Sequence, residues 1–220
     1  MIKYEVLVMG ELQTNCYLVW DVVSKETVVI DAADEGVMIS EEIEKRGLKI
    51  KYILATHGHF DHNLGVLDLK LIYNIPYCVS QKDWFLLERQ KETAKHFLNK
   101  KIEVPNLKKI DFNLDKEKKI ILGESVLEII KTPGHTPGSV CFFNLPHPLF
   151  HKRGVRPILF SGDTMFAHDR GRTDLSYSST KNIFESLRKL IELPEDTIVL
   201  PGHGEETTIG KEKPKYEFKG

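Results

Sequence analysis

Short apolar runs punctuated by turn-type residues dominate the first third of the chain. Tyr4 to Met9, Cys16 to Trp20 and Thr27 to Asp31 are rich in Val, Leu, Ile and Tyr, and each predicts a strand. Val37 to Arg46 threads Val37, Ile39 and Ile43 through an acidic segment, which predicts a helix with Gly47 as its stop. Lys51 to Thr56 reads as a buried strand ending at a histidine, Asn63 to Tyr73 as a helix, and Pro76 to Val79 as a strand. The longest helical signal is Ser80 to Asn99, with Ser80 as N-cap and Asp83 in the place of a capping-box acid. Its apolar positions Trp84, Leu87, Ala94, Phe97 and Leu98 fit a helix packed on a sheet; a lid over a site is the functional alternative.

Strand patterns return at Lys118 to Leu122, Val126 to Thr132, Val140 to Asn144 and Pro157 to Ser161. A helix at Lys181 to Leu190, N-capped by Thr180, and a strand at Thr197 to Leu200 complete the pattern. Leu145 to Pro157 reads as a hairpin extension at the surface. There is no repeat and no linker rich in Pro, Gly or Ser, so residues 1–220 read as a single domain. In it, each half would supply a sheet to one sandwich faced by helices.

Charge and composition narrow the function classes. With 31 basic and 32 acidic residues, the chain offers no electrostatic footprint for nucleic acid or an anionic membrane surface. Acids interrupt or flank the basic runs at Lys108-Lys109 and Lys116 to Lys119, which read as solvated faces. No apolar run approaches the roughly 20 residues of a membrane-spanning helix, and Met1 to Trp20 lacks the pattern of a signal peptide. Cys16, Cys78 and Cys141 are widely spaced and lie in or beside apolar runs, as buried free thiols do. A cytoplasmic location is the expectation.

The densest chemistry is Thr56-His57-Gly58-His59-Phe60-Asp61-His62, four potential metal ligands directly after a strand. The spacing suits a tight loop rather than one helix face, with Gly58 relaxing the backbone so that neighbouring ligands converge. Packed together without a cation, such groups would repel or stay unsatisfied. Imidazole and carboxylate suit zinc, with iron or manganese as alternatives. Three further candidates share a context of strand end and glycine-containing turn: His135 in Thr132-Pro-Gly-His-Thr-Pro-Gly, Asp163 in Phe160-Ser-Gly-Asp-Thr, and His203 in Pro201-Gly-His-Gly. His96, His147, His151 and His168 lie outside these contexts.

In this order, the motifs resemble the metallo-β-lactamase superfamily, and within it the short stand-alone branch related to glyoxalase II. The resemblance runs from Asn15-Cys16-Tyr17 through Ile30-Asp31 to Thr207-Thr208-Ile209-Gly210. It implies an α/β (α+β) fold, a four-layer αββα sandwich with two metals at one edge of its sheets. His57, His59 and His135 would hold the first metal, Asp61, His62 and His203 the second, and Asp163 would bridge them. Two zinc ions are the expected cofactors, with iron or manganese as alternatives in one or both sites. The pair would bring a shared water to a pKa near 7, with Asp61 as the catalytic residue that orients it. A thiol leaving group, with a pKa of about 8.5, departs without a strong acid, so a small-molecule thioester is the expected substrate.

The alternative is a mono-iron persulfide dioxygenase. It shares Gly171-Arg172-Thr173-Asp174-Leu175, but its last ligand sits in a Pro-Ala-His-Asp context rather than Pro201-Gly-His-Gly. A phosphodiesterase and a non-catalytic metal-binding module are remoter readings. Arg172 is either a substrate contact or one half of a loop-fixing pair with Asp174. The segment after Thr207-Thr208-Ile209-Gly210, Lys211 to Phe218, departs from the relatives' usual ending, and the C-terminal helical region of true glyoxalase II enzymes has no counterpart in it.

Overall fold

A computed structural model describes residues 1–99, 107, 109–151 and 154–217. Lys108 and Phe218 of the segments singled out above, and residues 152–153 of the 145–157 stretch, lie outside them.

Two six-stranded sheets form the centre of the molecule. The first runs in chain order: β1 (Ile2–Met9), β2 (Thr14–Asp21), β3 (Glu26–Ile30), β4 (Lys49–Leu54), β5 (Tyr77–Val79) and β6 (Phe112–Asn113). The second contains β7 (Lys119–Leu122), β8 (Ser125–Lys131), β9 (Val140–Asn144), β10 (Ile158–Gly162), β11 (Ile198–Pro201) and β12 (Thr207–Thr208) in linear order. The helices are α1 (Gly36–Lys45), α2 (Val66–Tyr73), α3 (Trp84–Leu87), α4 (Gln90–Leu98), α5 (Pro148–His151), α6 (Thr180–Leu190) and α7 (Ile209–Tyr216).

Alternation along each strand sorts the apolar side chains into three cores. On β2, Tyr17 and Val19 face the other sheet, where they join Leu127, Phe142 and Phe160. Cys16 and Leu18 point the opposite way, towards Ile39 and Ile43 of α1 and Val66 and Leu69 of α2. On the far side, Cys141, Phe143 and Leu159 meet Ile183 and Leu187 of α6 and Ile209 and Tyr216 of α7. Both faces of each sheet are therefore covered, and the strands read as apolar runs rather than half-polar ones. This is the expected αββα layering. All three cysteines are free and buried, as expected, and no helix among the described residues is long and apolar enough to cross a membrane.

Three elements differ from expectation, and one stretch without an assigned element proves to be a helix. The helix placed at Asn63 starts at Val66, because Asn63 turns its side chain back to tie down the histidine loop. The long helix at Ser80 to Asn99 is broken into a 3₁₀ turn (Gln81–Asp83), α3 and α4, with Arg89 at φ −106°, ψ 11° between the two helices. Ser80 does cap that first turn, accepting from Lys82 N at 3.2 Å, but Asp83 points into the interior instead of closing a capping box. α6 begins one residue earlier than expected, and Ser179 rather than Thr180 caps it, accepting from Asn182 N at 3.2 Å. The divergent ending is a helix, α7, despite Pro214 inside it. Its buried Ile209 and Tyr216 supply packing that propensity does not. The 145–157 stretch does join two antiparallel strands, β9 and β10, as a hairpin connection would.

Candidate metal centre

Parallel pairing brings the loops that carry chemistry to one edge. β3, β4 and β5 run parallel, as do β10 and β11, so the loops after β4, β10 and β11 leave their sheets in company. Val140 N donates to Thr56 O at 2.9 Å and Asn15 N to Gly202 O at 2.7 Å, stitching the two sheet edges together there.

Seven sequence-selected residues meet at this edge in two groups. His57, His59, His135 and Asp163 bring their ligating atoms within 4.8 Å of one another, and so do Asp61, His62 and His203. In the first group, His59 Nδ1 lies 3.0 Å from both His57 Nε2 and His135 Nε2. The outer nitrogens decide what those inner atoms are. His57 Nδ1 faces Thr56 Oγ1 at 3.0 Å, and that hydroxyl already donates to Asp31 Oδ2 at 2.8 Å, so it can only accept. His135 Nδ1 faces the carbonyl of Arg172 at 3.0 Å, which also only accepts. His59 Nε2 meets the Tyr177 hydroxyl at 2.8 Å. A neutral imidazole has one N–H, so with the outer nitrogens donating, three lone pairs point at one another.

The second group follows the same logic. His62 Nδ1 bonds Asp31 Oδ2 at 2.9 Å, and His203 Nδ1 bonds the carbonyl of Leu12 at 3.0 Å, turning both Nε2 atoms inward. His203 Nε2 lies 3.2 Å from Asp61 Oδ2, which also accepts from Thr14 Oγ1 at 3.1 Å. Asp163 stands between the groups: Oδ1 is 3.5 Å from His62 Nε2, and Oδ2 is 3.6 Å from His135 Nε2 and 3.8 Å from His203 Nε2. His62 Nε2 and Asp163 Oδ1 are both buried without a hydrogen-bond partner. Converging lone pairs and orphaned buried polar atoms fit cations and little else. The donor set of imidazole and carboxylate suits first-row divalent metals.

The electrostatics divide the two groups. Burial alone would lower His62 and His203, but the carboxylates, Asp61 foremost, outweigh it and raise both, a surplus of negative charge that suits a cation. Burial, reinforced by the surrounding imidazoles, pushes His57 well below its ordinary value and lowers His59 to about 3, so both stay neutral ligands. Burial alone would raise the Asp61 carboxyl, but His62 and His203 outweigh it and hold it below the ordinary range.

A layer of residues behind the ligands fixes them, and most of it has no mark in the sequence. Asp31 closes on Thr56 N, Thr56 Oγ1 and His62, from a left-handed backbone position at φ 55°. Asn63 donates to the carbonyls of His57 and His59 and is itself held by Tyr77. Asp83, fully buried, accepts from Gly58 N, Gly138 N and Thr136 Oγ1, tying the His57 loop to the His135 loop. Gly58 is needed for space rather than for backbone freedom: a Cβ there would sit 2.8 Å from Asp83, and its φ is not left-handed.

Arg172 closes both arms of its guanidinium on Asp174, Nε to Oδ1 at 2.7 Å and Nη2 to Oδ2 at 2.6 Å. This is the loop-fixing geometry, and the same residue's carbonyl orients His135. Of the four other histidines, His96 packs on Phe97, His151 bonds Val155 O and His168 lies beside Lys215; among the described residues neither ligand group includes any of the four. A cavity of about 470 Å³ opens above the centre. Besides the ligands, it is lined by Leu12, Phe60, Thr93, Phe97, Arg172, Leu175 and Tyr177. α4 therefore borders the site through Thr93 and Phe97.

Comparison with known proteins agrees with this geometry. The sequence model of the metallo-β-lactamase superfamily matches residues 9–203. The hydroxyacylglutathione hydrolase GloC of Haemophilus influenzae is 34% identical, covering 97% of this chain and 96% of that protein. The crystal structure of BLEG-1, a B3 metallo-β-lactamase, superimposes with a TM-score of 0.83 at 30% identity, over 96% of this chain and 97% of that one. TTHA1623 in a di-iron-bound form gives 0.79 at 32% identity, over 95% and 96%.

Proposed function

This chain belongs to the metallo-β-lactamase superfamily, and we propose that it is a glyoxalase II-like thioester hydrolase acting on a small-molecule substrate. His57, His59 and His135 would hold one metal and Asp61, His62 and His203 a second, with Asp163 shared between them. Zinc is the expected metal, and iron or manganese the alternative. Two such ions, when bound, lower the pKa of a shared water towards 7 and polarise an acyl oxygen.

The chain's own residues prepare that chemistry. Thr56, Arg172 O, Asp31 and Leu12 O hold the outer nitrogens of His57, His135, His62 and His203, fixing each ring's tautomer and orientation. Thr14 donates to Asp61 Oδ2, the oxygen beside His203 Nε2 and His62 Nε2, and holds the carboxylate that would orient the attacking water. The departing sulfur, with a thiol pKa of about 8.5, leaves as thiolate without a strong acid. That matches a centre whose histidines and aspartates all belong to the ligand groups or the layer behind them. What supports the reading most is the near full-length similarity to a hydroxyacylglutathione hydrolase in a chain that keeps all seven candidate ligands.

Hydrolysis of S-lactoylglutathione, followed by loss of thioester absorbance before chelation, after it, and after zinc restoration, tests the proposal. Metal-dependent turnover supports it. Absence of turnover in the metal-loaded protein, with oxygen consumed in the presence of glutathione persulfide, would replace it with the dioxygenase reading.

A further inference from the structure

We infer that Glu212 is a positioning residue of the metal centre: from α7, its carboxylate clasps the hairpin that carries Asp163 and the strand that follows the His203 turn. This role rests on the reading of Asp163 and His203 as metal ligands. It gives the divergent segment after Gly210 a part in the site.

Residues 163–172 form a hairpin whose base lies at the centre. Met165 and Arg170 pair antiparallel, and Phe166 N donates to Asp169 O at 3.0 Å across the tip. At the base, Gly171 comes so close that a Cβ on it would collide with the carbonyl of Asp163. One end of the base presents Asp163 to both ligand groups, and the other presents the Arg172 carbonyl to His135 Nδ1. A shift of this hairpin would therefore disturb two parts of the centre together.

The tip is held from α7. Glu212 Oε2 accepts from His168 N at 3.2 Å, and the Tyr216 hydroxyl donates to Asp169 O at 3.0 Å. His168 stands at φ 71°, a left-handed conformation uncommon away from glycine, and these bonds help to hold it there. Glu212 Oε1 accepts from Thr207 Oγ1 at 2.7 Å, on β12, the strand that follows the His203 turn and pairs back onto β11. The Glu212 side chain is fully buried. Burial alone would raise its carboxyl, but Lys215 Nζ at 2.7 Å, Thr207 and His168 N outweigh it and hold the group below its ordinary value. A carboxylate thus meets three donors, and charge-assisted bonds of this kind are the strong ones. It joins the segments that follow Asp163 and His203, whose Oδ2 and Nε2 lie 3.8 Å apart.

The test measures zinc affinity by competition with a chelator, and the absorption of the cobalt-loaded protein, in full-length variants shown by circular dichroism to be folded. Glu212→Ala should bind zinc about tenfold more weakly than wild type and shift the cobalt absorption. Glu212→Gln should restore most of the affinity, because its carbonyl can face His168 N and Lys215 while its amide donates to the Thr207 hydroxyl. Ile43→Val, in the first core and across both sheets from α7, should lower thermal stability and leave zinc affinity unchanged. Affinity within about twofold of wild type in Glu212→Ala, or an equal loss in Ile43→Val, overturns the assignment. If Glu212→Ala does not fold, Tyr216→Phe, which removes the bond to Asp169 O and keeps the ring, decides in its place. Its zinc binding should be about threefold weaker, and unchanged affinity overturns the assignment. A wild type that binds neither zinc nor cobalt overturns the ligand reading itself, and the role of Glu212 falls with it.

Discussion

Removing the Asp83 carboxylate should loosen both histidine loops at once, and the size of the effect follows from three hydrogen bonds. Asp83 is fully buried and accepts from Gly138 N at 2.7 Å, Gly58 N at 2.9 Å and Thr136 Oγ1 at 2.6 Å. In Asp83→Ala the Thr136 hydroxyl keeps a neighbour, Ser139 Oγ at 2.7 Å, but the two backbone N–H groups lose their acceptor. Each buried unsatisfied donor costs about 1–3 kcal/mol. Against this, burial raises the Asp83 carboxyl above its ordinary value, so its charge is itself held at some cost. The net loss should be about 2–4 kcal/mol. Asp83→Asn keeps one acceptor and turns an amide towards one N–H, and should lose about half as much. Guanidinium unfolding at fixed metal load reads the difference, as a lower midpoint with an unchanged slope. A loss below about 1 kcal/mol in Asp83→Ala would refute the view that this carboxylate holds the loops together.

Three further outcomes are expected. Asp163→Ala, which removes a carboxylate reaching both ligand sets, should cost both metals; elemental analysis finding two fully retained ions would exclude a shared role. Asp31→Ala leaves His62 Nδ1 and Thr56 without their partner and should weaken metal binding about 10–100-fold by competition with a chelator; unchanged affinity would count against it. For Asp21, burial pushes the carboxyl up, but bonds from Ser24 N and Ser125 Oγ prevail and hold it below its ordinary value of 3.8. Its folded value is thus the lower one, so its stabilisation is present above about pH 4 and lost as pH falls further. Asp21→Asn should be less stable than wild type near neutrality, with a gap that closes in acid; a gap constant with pH would contradict this.

The sheet layers were legible because each strand is a short apolar run, and the ligands because each follows such a run beside a glycine. His57, His135, Asp163 and His203 all sit where β4, β8, β10 and β11 give way to turns. What escaped depends on contacts across the chain. Asp83 mimics a capping-box acid locally, yet its partners Gly58 and Gly138 are 25 and 55 residues away. The break in the Ser80–Asn99 helix accompanies that inward turn, and no periodicity records it. α7 carries a glycine and a proline, and it is held in place by Ile209 and Tyr216, which complete the third core. Tyr177 sits in a polar loop whose sequence gives no hint that His59, 118 residues earlier, is its partner.

The two ligand groups are expected to act together as one hydrolytic centre. Titrating metal-free protein with zinc, while recording bound metal and thioester hydrolysis in the same samples, tests it most directly. Activity should reach its plateau near two equivalents, with both held by the native chain. Full activity at one equivalent, or two tightly bound ions with no thioester hydrolysis, would contradict it.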